Sequence, residues 1–307
     1  MSPNAAISRF ITAQDGLKLH VAIYGGPSEA LPVVCLPGLA RSGADFEELA
    51  AVLANDPRQP RQVIVLDSRG RGRSDYDPNP ANYSLPVELA DLLAVLSALN
   101  VGPAVFVGTS RGGILVMLLA VARPTAIAGC VLNDIAPQID MAGVMRIKGY
   151  VGKLPTPNSF EDAAAIMRQT FGGQFPKLAD ADWLSWARRT YKETAGRLVP
   201  DYDIRLGEAL AEVNPEKPLP GLWKEFDALA GVPVMVIRGA NSDILSPATV
   251  AAMQARHPGM QVVEVADQGH APLLMEADVI ARIAAFVDSC DSQTRGASAL
   301  LRFHSCF

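Results

Sequence analysis

One serine, one histidine and one aspartate of this chain have the order and setting that nucleophilic catalysis needs. Ser110 lies in Gly108-Thr109-Ser110-Arg111-Gly112, after the apolar run "AVFVG" and before "ILVMLLAVA". G-x-S-x-G at a sharp strand-to-helix turn exposes a hydroxyl on strained backbone. Gly108 and Gly112 would be required there because side chains at those positions would strike neighbouring backbone. The following helix offers free N–H groups and its positive dipole end to a developing oxyanion. A serine at neutral pH also needs a base, and the base an orienting acid. His270, in "DQGHAP", follows the run "VVEVAD", and Asp243, in "GANSDILS", follows "VMVIR". Serine, then acid, then histidine is the expected chain order.

Each of these residues also has a structural reading. The pentapeptide can be a glycine-rich turn, Asp243 a neighbour of a helix cap, and His270 a loop histidine. The other histidines are poorer bases: His20 falls in an N-terminal hairpin, His257 ends a helix before Pro258, and His304 is near the end of the chain. Asp134, closing "GCVLND", is the rival acid because it too follows a strand; Asp243 is preferred. An oxyanion hole needs a second N–H besides that of Arg111. The turn Pro37-Gly38-Leu39 after "PVVCL" supplies Leu39 as the candidate donor, and the Arg111 side chain is expected to point to solvent or cap.

The elements around these residues read as strands alternating with helices. "RFITAQDGLKLHVAIYGG" is a hairpin turning at Asp15-Gly16. "PVVCL", "QVIVLD", "PAVFVG", "AIAGCVLND", "PVMVIRG" and "MQVVEVAD" are buried strands. The intervening segments carry helical spacing, as with Phe46, Leu49, Ala50 and Leu53. The pattern predicts an α/β fold with a mostly parallel, doubly wound sheet covered by helices. The candidate residues fall at carboxyl ends of its strands, where such sheets hold ligands. Residues 137–228 interrupt the alternation with helix-like pieces, all three tryptophans (Trp183, Trp186, Trp223) and a Pro-rich exit. They are expected to form a helical cap inserted after the sixth strand. The core is then 1–136 and 229–290, with 291–307 a tail without strong periodicity.

Composition excludes other classes. The 307 residues are 49% hydrophobic and 19% charged, enough for a large core without staples. The net charge of -5 argues against a nucleic-acid partner. Cys35 and Cys130 lie in apolar runs as small core residues, and no spaced cysteine framework points to disulfides or zinc. The start "MSPNAAISRFITAQDG" has no signal-peptide pattern, and no apolar run reaches membrane-spanning length. A cytoplasmic setting without membrane partner follows as the expectation. Asn82-Tyr83-Ser84 is read as a chance glycosylation sequon.

With these pieces in place, residues 7–290 resemble the α/β-hydrolase fold superfamily outside the variable cap: "LPGL", "DSRGRGRSD", "GTSRGG", "GANSDILS" and "DQGHAP" stand in that family's order. "DSRGRGRSD" resembles the loop after the fourth strand; it lacks the third glycine of a dinucleotide fingerprint and the lysine of a P-loop. Many relatives carry His-Gly before the oxyanion donor, where this chain has Pro37-Gly38. The serine nucleophile argues against relatives that form an ester on an aspartate. The resemblance implies acyl transfer to water, with no metal or organic cofactor, on a small-molecule ester or lactone. Carbon–carbon bond hydrolysis of a diketone-like ring-cleavage product is the alternative within enzymes. A non-catalytic ligand-binding member is the alternative outside them. Arg146, Arg168, Arg188, Arg189 and Arg197 offer a carboxylate site or, more simply, a solvated helix face. The natural substrate and homo-oligomerisation stay open.

Overall fold

The apolar runs pair into one eight-stranded sheet in the computed structural model, which describes residues 6–217 and 219–304. The strands are β1 (Ile7–Thr12), β2 (Lys18–Tyr24), β3 (Val33–Leu36), β4 (Val63–Leu66), β5 (Ala104–Thr109) and β6 (Ile127–Asn133). After a short separate hairpin of β7 (Tyr191–Thr194) and β8 (Arg197–Pro200) come β9 (Val234–Gly239) and β10 (Gln261–Val265). The order across the sheet is β1-β2-β4-β3-β5-β6-β9-β10. β1–β2 and β2–β4 are antiparallel; all other neighbours are parallel. The expected mostly parallel, doubly wound sheet is therefore observed.

Alternation along the central strands fills two cores. Val34, Phe106, Leu132 and Val236 face α2 (Leu85–Ala98) and α3 (Arg111–Ala122), with α8 (Pro247–Arg256) on the same side. Val33, Cys35, Val105, Val107 and Ile237 face the other way, against α1 (Glu47–Ala54) and α9 (Ala277–His304). Both faces are thus covered, which is why the strands are apolar throughout. Strand order reverses between β3 and β5. The loops leaving their carboxyl ends, carrying Leu39 and Ser110, diverge from a crevice at that switch point.

Between β6 and β9 lie α4 (Met141–Tyr150), α5 (Phe160–Phe171), α6 (Asp180–Thr190), the β7–β8 hairpin and α7 (Trp223–Asp227). α5 and α6 make their own small core, in which Trp183 and Trp186 stack at 5.4 Å between ring centres. The hairpin corrects the all-helical expectation. "YKETAGRLVP" has helix-favouring Lys, Glu and Ala, but Ala195 (φ 51°) and Gly196 (φ 73°) turn the chain back, and Tyr191↔Pro200 to Thr194↔Arg197 pair. The tail expectation is corrected too. Residues 291–304 continue α9, anchored by buried Asp291, which accepts from Leu31 N–H (2.7 Å) and from Arg61 Nη1 (3.0 Å). Residues 305–307 of that stretch lie outside the described residues. Among the described residues no helix is long and apolar enough to cross a membrane.

Candidate active site

The end of β5 turns into α3 through a single residue, Ser110, whose backbone sits at φ 51°, ψ -115°. An L-residue adopts that conformation only when its surroundings enforce it. The enforcing contacts are visible. A Cβ added at Gly112 would lie 2.0 Å from the Leu36 carbonyl oxygen, and one at Gly108 would lie 2.6 Å from Gly113 Cα. Both glycines singled out from the sequence are therefore required by close backbone approach. Gly113, which the sequence reading passed over, is crowded by a side chain instead: its Cβ would meet Ile135 Cγ2 at 2.3 Å. Gly112→Ala is expected to cost about 3 kcal/mol or more of stability, since backbone rather than a flexible side chain must yield. A urea unfolding midpoint unchanged from wild type would contradict this.

Ser110 Oγ–H donates to His270 Nε2 at 2.8 Å, and His270 Nδ1–H donates to a carboxylate at 2.8 Å. That carboxylate belongs to Asp134, not Asp243. Asp134 follows β6 directly, has φ 53° and is fully buried. Besides His270, its oxygens accept from Gly239 N–H (2.9 Å) and Ser242 Oγ–H (2.6 Å). The residue just before it, Asn133, ties the elbow to the histidine loop. Its carbonyl accepts from Ser110 N–H at 2.9 Å, and its amide donates to Thr109 Oγ1 (3.1 Å) and to the Pro272 carbonyl (2.9 Å).

Asp243, the acid preferred from sequence, is engaged elsewhere. Arg146 of α4 grips it with two bonds, Nε to Oδ2 at 2.6 Å and Nη2 to Oδ1 at 2.9 Å. Half-burial would raise its carboxyl, but the Arg146 hydrogen bond and charge outweigh this and hold it below the usual carboxylate range. The reason for the correction is geometric. Both aspartates follow neighbouring strands, yet the left-handed turn at Asp134 aims its carboxylate along the sheet end toward His270. Asp243 instead latches the loop after β9 to the inserted segment.

The segments carrying the candidate oxyanion donors flank Ser110. A side chain at Gly38 would stand 3.7 Å from Ser110 Cβ, so the loop after β3 lies against the serine; Leu39 lines the same cavity, and Arg111 opens α3. The Arg111 side chain departs from expectation. It turns inward, donating from Nε to Glu88 (2.6 Å) and from Nη2 to the Tyr83 carbonyl (3.1 Å). The "DSRGRGRSD" loop has the structural role foreseen for it. Arg69 is buried among Asp77, Asp91 and Asp15, and buried Arg71 reaches Glu88 and the Leu39 carbonyl.

Above Ser110 and His270 lies a mainly apolar, partly open cavity of about 100 Å³. The inserted segment supplies one side, with Ile147, Leu154, Met167, Phe171 and Trp186; the histidine loop supplies another through Leu273 and Leu274. Trp186 thus serves both the segment's own core and the cavity wall. None of the five arginines considered from sequence lines the cavity. Arg41 does, and Asp45 and Thr190 engage it.

A second serine–histidine–aspartate chain exists: Ser8 Oγ to His20 Nε2 at 2.7 Å and His20 Nδ1 to Asp67 at 2.8 Å. Hydrogen-bond distances therefore do not by themselves mark the site. Ser8 sits exposed on the edge strand β1 with Arg73 donating to its oxygen at 2.9 Å, and neither it nor His20 lines the cavity above Ser110. Ser110 has the strained elbow, the helix N-terminus and the cavity.

Known proteins share this architecture. The Cupriavidus necator "3-hydroxybutyrate-oligomer hydrolase" is 34% identical over 265 residues, covering 84% of this chain and 88% of that protein. The "sn-1-specific diacylglycerol lipase ABHD11" of Mus musculus is 26% identical over 83% of this chain and 80% of its own length. A crystal structure of an alpha/beta hydrolase from Novosphingobium aromaticivorans superposes with a TM-score of 0.86 at 40% identity, covering 92% of this chain and 98% of that one. Residues 32–277 match the family described as alpha/beta hydrolase fold, and the sheet order, the elbow and these relatives agree: the chain belongs to the α/β-hydrolase fold family.

Proposed function

We propose that this chain is a serine hydrolase that cleaves small carboxylic esters, with short hydroxy-acid oligomers as the first substrates to test and lactones open to the same chemistry. The observation that carries the reading is the unbroken Ser110–His270–Asp134 hydrogen-bond chain at the floor of a mainly apolar cavity. His270 Nε2 takes the Ser110 proton as Oγ attacks the ester carbon. The N–H groups of Leu39 and Arg111 receive the carbonyl oxygen as it becomes an oxyanion. Asp134 holds His270 with Nδ1 protonated, which leaves Nε2 free to accept, and stabilises the imidazolium that forms. The imidazolium then returns its proton to the departing alkoxide, leaving an acyl-serine. Water, deprotonated by His270, attacks the acyl carbon and releases acid and Ser110.

The segment between β6 and β9 acts as the cap in this reading. Its apolar residues favour a short acyl chain and keep bulk water from the ester. A hydroxybutyrate oligomer is the named substrate of a relative that aligns over most of both chains, and its repeating units are short esters.

The test is hydrolysis of p-nitrophenyl butyrate and of a 3-hydroxybutyrate dimer, with fluorophosphonate labelling mapped by peptide mass spectrometry. Turnover with the adduct on Ser110 supports the reading. No turnover and no adduct, or an adduct confined to Ser8, overturns it.

A further inference from the structure

Beneath the two candidate oxyanion donors lies a buried ion cluster that the mechanism above does not use. Glu88, in the first turn of α2, is 2% exposed. One carboxylate oxygen accepts from Arg71 Nη1 at 2.7 Å and the other from Arg111 Nε at 2.6 Å. Each arginine belongs to, or holds, one donor segment. Arg111 is itself the residue after the nucleophile, and its Nη2 also donates to the Tyr83 carbonyl at 3.1 Å. Arg71 Nε donates to the Leu39 carbonyl at 2.7 Å, and its Nη1 also donates to the Arg69 carbonyl at 2.6 Å. One carboxylate therefore ties together a loop after β3 and a helix start after β5, which no backbone hydrogen bond between Leu39 and Arg111 joins among the described residues.

A carboxylate taken out of water is costly unless paired and fully hydrogen-bonded, and breaking such a pair is strongly destabilising. Replacing such a buried ion cluster with well-packed apolar residues is often neutral or stabilising, so stability alone does not account for it. Oxyanion donors act only when held within tenths of an ångström of where charge develops. Rigid two-armed guanidinium forks provide that fixity better than a flexible ammonium.

We propose that Glu88 is a positioning residue for the oxyanion hole: acting through Arg71 and Arg111, it sets the spacing between the Leu39 and Arg111 N–H groups. The inference rests on the serine-hydrolase reading. It implies that Glu88 matters to the transition state and little to the bound substrate, because the oxyanion exists only in the former.

Glu88→Gln tests it, since the amide places an NH₂ donor where one of the two accepting oxygens stood, facing an arginine that also donates, and removes the charge. Activity is read per site titrated with fluorophosphonate, so loss of folded protein does not mimic the effect. The affinity of a trifluoromethyl ketone is measured alongside: Ser110 Oγ adds to its carbonyl carbon, its proton passes to His270, and the resulting hemiketal oxygen carries the negative charge into the hole. The expected result is a fall of about 10- to 100-fold in kcat per titrated site, an equal weakening of ketone affinity, and KM within about twofold. Arg111→Met, which keeps the backbone donor and removes a partly exposed guanidinium, should shift both quantities in the same direction; it decides the matter if Glu88→Gln does not fold. Wild-type kcat per titrated site and wild-type ketone affinity in whichever variant folds would overturn the inference. A wild-type protein that neither turns over p-nitrophenyl butyrate nor binds the ketone would instead overturn the reading on which it rests.

Discussion

Asp134→Asn should lower kcat about 10⁴-fold, whereas Asp243→Asn should lower it less than about tenfold. Asp134 accepts three hydrogen bonds, from His270, Gly239 and Ser242. An asparagine has one acceptor oxygen for those donors. If its NH₂ turns to His270, it donates to Nδ1 and stabilises the tautomer that carries hydrogen on Nε2, the wrong form for taking the Ser110 proton. The buried negative charge that stabilises the imidazolium is lost as well. Asp243→Asn removes only a latch between the loop after β9 and α4, in which both side chains are about a quarter exposed. Ion pairs of that exposure contribute little to stability, and a looser cap would appear in KM before kcat. Steady-state kinetics of the two variants on p-nitrophenyl butyrate separates the cases. A severe loss in Asp243→Asn with a mild one in Asp134→Asn would show that the working enzyme uses the acid order read from the sequence.

The second large effect is expected at the nucleophile and its base. Ser110→Ala and His270→Ala should each reduce kcat about 10⁶-fold, and the double variant should lose little more than either alone. Serine and imidazole act as one unit, because an unactivated hydroxyl and an imidazole with nothing to deprotonate are equally idle. Substrate binding is served by the apolar cavity walls, so KM should change little. A double variant whose loss equals the product of the two single losses would mean that the residues act independently and that no shared proton transfer links them.

The sheet, the elbow and the histidine were legible in the sequence because each has a strong local signature. Four-residue runs such as Val63–Leu66 are wholly apolar, Gly108 and Gly112 answer to backbone contacts, and His270 follows β10 in a turn-rich loop. The acid was less legible because "VLND" and "GANSD" both follow strands. Their choice depends on the positive φ of Asp134, a non-glycine residue whose sequence carries no mark of that conformation. Arg111 was read outward because an arginine at a helix start usually meets solvent; its inward turn depends on Glu88, far away in sequence but adjacent in the fold. The β7–β8 hairpin was hidden for the opposite reason, since its residues favour a helix and cross-strand pairing overrides them.

β6 and β9 are neighbours in register, Cys130 beside Val234 and Asn133 beside Ile237. The long segment between them leaves at the carboxyl end of β6 and re-enters at the amino end of its parallel neighbour β9, so both of its attachments lie on one pair of adjacent strands. Ser110, Asp134 and His270, the proposed nucleophile, acid and base, all lie outside it, with Asp134 the last of them before the chain departs. Descendants of such a chain can exchange that one contiguous stretch for another and inherit a new appetite for substrates with the proton-transfer parts intact. The narrow part of that inheritance is the residue next to Asp134, where any new segment must begin without turning the carboxylate away from His270.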